Sequence, residues 1–175
     1  MRLVAPEGLT VRPTSELVRG AAMSQLGGFF DGQVALDVCA GTGAVALEWL
    51  SRGCSRAVAI EQNPEVAKLL RENAVHTRLV AGLEVIVAEA GAALRQLAQR
   101  GERFDLVWFD PPYDADLHAP ILKLLAELPL LKPDADVLVE SRSGLDPAWL
   151  GDAWEVVSTR RYGACWLDRL SRSTL

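Results

Sequence analysis

The chain has 175 residues, half of them hydrophobic and 23% charged, which is enough for one packed core and too few for two ordinary domains. No apolar run approaches the roughly 18 residues of a membrane span, and three cysteines without a C-x-x-C pair argue against a disulfide framework or a zinc site. A net charge of -5 argues against binding nucleic acid through a broad basic footprint.

In chain order, the first predicted element is a helix in which Pro13 and Thr14 precede Leu17, Val18, Ala21, Ala22, Gln25 and Leu26, with Thr14 or Ser15 as N-cap. Arg12 and Thr14 are placed to touch a target strand or shape a cleft, or serve only as that helix start. Met1 to Pro13 lacks the apolar stretch of a signal peptide, so a cytoplasmic protein is expected.

Apolar runs at Val34 to Val38, Ala57 to Ile60, Leu83 to Val87, Phe104 to Phe109 and Val137 to Val139 read as buried strands. Between them lie helical stripes: Val66, Leu69, Leu70 and Asn73, then Leu117, Ile121, Leu124, Leu125 and Leu128. This alternation predicts an α/β fold with a mostly parallel sheet whose ligands bind beyond the carboxyl ends of the strands.

The first strand ends in Asp37-Val38-Cys39-Ala40-Gly41-Thr42-Gly43, a glycine loop that lets backbone approach a nucleotide-like cofactor. With Ala46 the glycines also satisfy the dinucleotide fingerprint, so NAD is a rival. NAD brings a pyrophosphate and S-adenosylmethionine a sulfonium and an ammonium, so the carboxylate of Asp37 favours the cation, unless Asp37 merely caps the loop. Glu61 after the second strand suits ribose hydroxyls or helix capping, and Glu89 after the third suits the adenine ring or a helix start. Cys39 reads as a small wall residue of the loop. His76 and His118 are assigned surface or helix-end roles.

The fourth strand ends in Asp110-Pro111-Pro112-Tyr113. Two prolines remove two donors and fix two φ angles, so the Pro111 carbonyl can be held outward as an acceptor beside Asp110. Together they suit both hydrogens of an exocyclic amine, and Tyr113 offers a stacking surface for an extruded base. The alternative is a plain strand-terminating turn. Trp154, Val156 and Ser158 then alternate with Glu155, Val157 and Thr159, followed by Tyr162-Gly163 and a strand through Leu167, an antiparallel hairpin that closes the sheet. Arg160 and Arg161 on it are phosphate contacts or edge protection.

Taken together, these motifs resemble the small-subunit (16S) ribosomal RNA guanine-N2 methyltransferases of the RsmD type over nearly the whole chain. The resemblance is carried by Gly8-Leu9, Arg12-Pro13-Thr14, Val18-Arg19, Asp37 to Gly43, Ala46-Leu47-Glu48, Ser51-Arg52-Gly53, Asp110 to Tyr113, Val139-Glu140 and Tyr162-Gly163. It implies a Rossmann-like class I S-adenosylmethionine-dependent methyltransferase with a seven-stranded, mostly parallel sheet. It implies cofactor contacts at Asp37, Cys39, Ala40, Gly41, Gly43, Glu61, Gln62, Glu89 and Ala90, and a target guanine held by Asp110, Pro111, Pro112 and Tyr113. One domain is expected over residues 1–175, with residues 1–30 as an N-terminal segment and 31–175 as the core. Its expected partner is ribosomal RNA within an assembled or assembling small subunit, met by a monomer. A DNA adenine-N6 methyltransferase would need an added recognition region, and a protein glutamine methyltransferase tends to carry asparagine before Pro-Pro. A noncatalytic nucleotide-binding module or NAD oxidoreductase would leave the tetrapeptide idle.

Overall fold

The computed structural model describes residues 16–112 and 116–173, so Arg12, Thr14, Ser15 and Tyr113 lie outside the described residues. Seven strands form one sheet: β1 (Val34–Val38), β2 (Arg56–Glu61), β3 (Leu83–Val87), β4 (Phe104–Phe109), β5 (Leu131–Ser141), β6 (Trp154–Tyr162) and β7 (Cys165–Arg172). Their spatial order is β3-β2-β1-β4-β5-β7-β6, with the first five parallel and β7 antiparallel to both of its neighbours. The chain leaves β1 first toward β2 and later toward β4, which puts a topological switch point, and with it a crevice, at the carboxyl end of β1.

Side-chain alternation along these strands builds two cores. Leu36, Val38, Val107, Phe109, Val137 and Val139 pack with Leu94 and Leu97 of α4 (Ala90–Gln99) and Ile121, Leu122 and Leu125 of α5 (His118–Glu127). On the opposite face Ala35, Ala57, Ala59, Leu106, Trp108 and Leu138 meet α1 (Glu16–Gln25), α2 (Ala44–Ser51) and α3 (Pro64–Thr77). Three alanines on that face leave room for the fully buried Trp49 of α2.

Three sequence expectations are modified. In α1 the inward stripe is Val18, Ala22 and Met23, while Leu17 is 69% exposed. Strand β5 begins six residues before Val137; between Leu131 and Asp136 its register against β4 shifts, and Pro133, which has no N–H to give, lies in that interval. The inward alternation of β6 ends after Trp154, because a register shift between Val156 and Ser158 and the edge position leave Val156 and Val157 exposed. No helix among the described residues is long and apolar enough to cross a membrane.

Candidate active site

The carboxyl ends of β1, β2, β4 and β5 open into one cavity of about 640 Å³. Its wall includes Asp37 of β1, Cys39, Ala40 and Gly41 of the glycine loop, Glu61 at the end of β2 with Gln62 after it, Glu89 and Ala90 after β3, and Asp110, Pro111 and Pro112 after β4. Gly43 does not line the cavity; it is the residue preceding α2, with φ 82°, and shapes the loop from behind. Arg160 and Arg161 stand outside the cavity, on the edge strand β6 and separated from β5 by β7. The register runs Glu140, Leu167, Arg160 and Ser141, Trp166, Arg161 across β5, β7 and β6.

Carboxylates hold the loop. Asp37 is buried and its Oδ2 accepts from the Ala46 amide at 3.0 Å, filling a donor in the first turn of α2. Glu61 accepts from the Gly41 amide at 2.9 Å through Oε2 and from the Asn63 amide at 2.8 Å through Oε1. The buried Asn73 of α3 donates to the Thr42 carbonyl at 3.1 Å. Glu89 caps α4 by accepting from the Gly91 and Ala92 amides, at 2.8 and 2.9 Å. The capping alternatives for Asp37 and Glu89 therefore describe real bonds, and both side chains still border the cavity.

These bonds decide what the loop can receive. A pyrophosphate needs free amides at the helix start, whereas here Gly41 and Ala46 already donate to carboxylates. The described wall carries five acidic side chains, Asp37, Glu61, Glu89, Asp110 and Glu140, against the single basic Arg142. Such a wall attracts a cation and repels a dinucleotide.

Burial pushes the Asp37 carboxyl up to about 7, helped by the charges of Asp110 and Glu61 and opposed by the Ala46 bond. A carboxyl raised on folding contributes stability below its ordinary value near 3.8 and loses it as pH rises through about 7. Melting temperature should therefore fall between pH 5 and 7.5 more in the wild type than in Asp37→Asn; parallel curves would contradict this. Burial also pushes the Cys39 thiol up to about 12, which keeps it protonated and no nucleophile, in line with its reading as a wall residue.

Sequence patterns gave no role to Trp108, Glu140 or Arg142, which also line the cavity. Glu140 carries the same positional signal as Glu61, an acid at the carboxyl end of a strand. His118 departs from a plain helix-end role: its Nε2 lies 3.1 Å from the Glu140 carbonyl, and its ring stacks on Trp149 at 4.9 Å and tilts against Phe109. Those contacts fix the end of β5. Among the described residues no cluster suits a metal ion.

The pattern of the family described as conserved hypothetical protein 95 matches residues 1–169. Ribosomal RNA small subunit methyltransferase D of Escherichia coli strain K12 is 33% identical over 140 residues, covering 80% of this chain and 69% of that protein. The protein of the same name from Haemophilus influenzae is 27% identical over 157 residues, covering 90% and 80%. A solved Streptococcus pyogenes structure described as a conserved hypothetical protein superposes with a TM-score of 0.80 at 29% identity, covering 89% of this chain and 95% of its own.

Proposed function

This chain belongs to the RsmD-type family described as conserved hypothetical protein 95, and we propose that it uses S-adenosylmethionine to methylate an exocyclic amine of small-subunit ribosomal RNA, at guanine N2. The observation that carries the cofactor half is the acid-lined cavity in which the Gly41 and Ala46 amides already donate to carboxylates. The names of the E. coli and H. influenzae relatives support the RNA half, and guanine follows from the motif resemblance. Residues 1–175 are proposed to act as one methyltransferase domain.

The cavity volume suits a ligand of this size. S-adenosylmethionine would supply an electrophilic methyl on a sulfonium. Asp37 is proposed to attract the ammonium of the methionine part and Glu61 to accept from ribose hydroxyls, with Cys39, Ala40, Gly41, Gln62, Glu89 and Ala90 of the cavity wall around the cofactor. Gly43 keeps the loop in shape.

Asp110 and the Pro111 carbonyl are proposed to accept the two hydrogens of the target amine, holding its nitrogen lone pair toward the methyl. As the new N–C bond forms and the C–S bond breaks with its electron pair going to sulfur, positive charge grows on the nitrogen. The Asp110 carboxylate stabilises that charge and takes the proton that leaves. Tyr113 and Pro112 would stack on the extruded base. Arg12 and Thr14 remain proposed contacts of the target strand.

An acidic protein releases few counterions from RNA, so affinity should come from shape and from Arg160 and Arg161 on β6 rather than from bulk charge. Undermethylated small-subunit particles should be methylated at least about tenfold faster than protein-free RNA, with a shallow salt slope on the latter. Equal rates, or a steep slope on free RNA, would refute the subunit as substrate.

A further inference from the structure

Glu140 is a buried acid with an unused acceptor. The residue is 3% exposed and lines the cavity, and its shielded Oε2 accepts no hydrogen bond among the described residues. A buried acceptor left unpaired is costly, and one in a cavity wall is a group that a ligand completes. Nothing in the proposed amine clamp uses it.

Its position narrows the ligand. Phe109 and Val139 are the last paired residues of β4 and β5, so Asp110 and Glu140 come next on adjacent strands, which lie about 4.8 Å apart. Asp37 in β1, Glu61 at the end of β2 and Glu89 after β3 lie on the far side of Asp110 from β5. Glu140 therefore belongs to the half of the cavity where the acceptor base would enter. The bond between His118 Nε2–H and the Glu140 carbonyl, together with the stack on Trp149, holds that strand end in place.

Beside its N2 amine, guanine presents N1–H, a donor; beside its N6 amine, adenine presents N1 as a lone pair. An acidic oxygen next to the amine clamp completes the first and opposes the second. We infer that Glu140 accepts the N1–H of the target guanine while Asp110 and the Pro111 carbonyl hold its N2 amine, making Glu140 the residue that selects guanine over adenine. This rests on the RNA methyltransferase reading above.

2-Aminopurine keeps the N2 amine, replaces N1–H by a lone pair and also lacks O6, so the change of the base ratio in Glu140→Gln, more than the wild-type loss, reports the inferred bond. Small-subunit particles reconstituted with guanine or 2-aminopurine at the mapped target position are the substrates. Wild-type kcat/KM should fall about 1,000-fold or more on 2-aminopurine, the rejection expected when a buried polar group loses its partner. Glu140→Gln should lose about 100-fold on guanine, yet discriminate less than about tenfold between the two bases, because its amide can donate to the N1 lone pair. S-adenosylhomocysteine affinity and melting temperature should be unchanged, which separates base selection from a structural role. Wild-type discrimination is a readout independent of how the variant folds. Equal handling of the two bases by the wild type, or an unchanged ratio in Glu140→Gln, would overturn the inference. So would loss of S-adenosylhomocysteine binding at an unchanged ratio, which would assign Glu140 to the cofactor. A wild type that binds S-adenosylhomocysteine but methylates neither particle would refute the RNA reading itself, and this inference with it.

Discussion

Asp110→Ala is expected to lower methyl transfer to small-subunit particles by about 100- to 1,000-fold, the range for removing one group that stabilises developing charge, while S-adenosylhomocysteine binds within about threefold of wild type. The two effects separate because Asp110 follows β4 whereas Asp37 lies in β1 and Glu61 ends β2. The Asp110 charge also helps to raise the Asp37 carboxyl, so its removal should ease the ionisation of Asp37 rather than weaken cofactor binding. Single-turnover rates and calorimetry would check the split. Near-normal turnover would eliminate the amine clamp, and a parallel loss of S-adenosylhomocysteine binding would move Asp110 into the cofactor half.

Gly43→Ala is expected to cost about 2–4 kcal/mol, because left-handed strain and overpacking combine. Gly43 has φ 82°, and a Cβ there would lie 2.7 Å from Leu70 Cγ, a side chain buried in the core beneath α3. Relief requires moving either Leu70 or the start of α2, and both displace the loop that borders the cavity. A fall of roughly 8 °C in melting temperature follows for a chain of this size, with weakened S-adenosylhomocysteine binding. Gly101→Ala is the matched control, since Gly101 has φ 75° but nothing within 4 Å of an added Cβ. If both variants melt at the same temperature, packing against Leu70 plays no part.

Much of the architecture is legible in the sequence because buried parallel strands leave dense apolar runs. Val34 to Val38, Leu83 to Val87 and Phe104 to Phe109 occupy the bounds read from their apolar character alone. Strand β5 is less legible because Pro133 and two aspartates interrupt it before Val137, where exposed residues and a register shift replace the apolar signal. The order of β7 and β6 is invisible to local patterning, since either strand of a hairpin could lie beside β5. Within the site, loop acids such as Asp37 and Glu61 stand out through their spacing from glycines and strand ends. Glu140 and His118 do not, because their meaning depends on which strands are neighbours: Glu140 gains its place beside Asp110 only when β5 pairs with β4, and His118 reaches it only from the start of α5. The double role of Asp37 and Glu89, capping a helix and bordering the cavity, was likewise open in the sequence, where each appeared as a choice between two readings.

Binding of S-adenosylmethionine should pull the Asp37 carboxyl back down, since an ammonium favours its charged form, so binding near pH 6 should release a proton. Methylation of small-subunit RNA is read by nucleoside mass spectrometry of ribosomal RNA from cells with and without the protein. Loss of one N2-methylguanosine from the small-subunit RNA of the deficient cells, restored by the wild type and not by Asp110→Ala, is the predicted result. An unchanged set of methylated nucleosides, or loss of N6-methyladenosine instead, would contradict it.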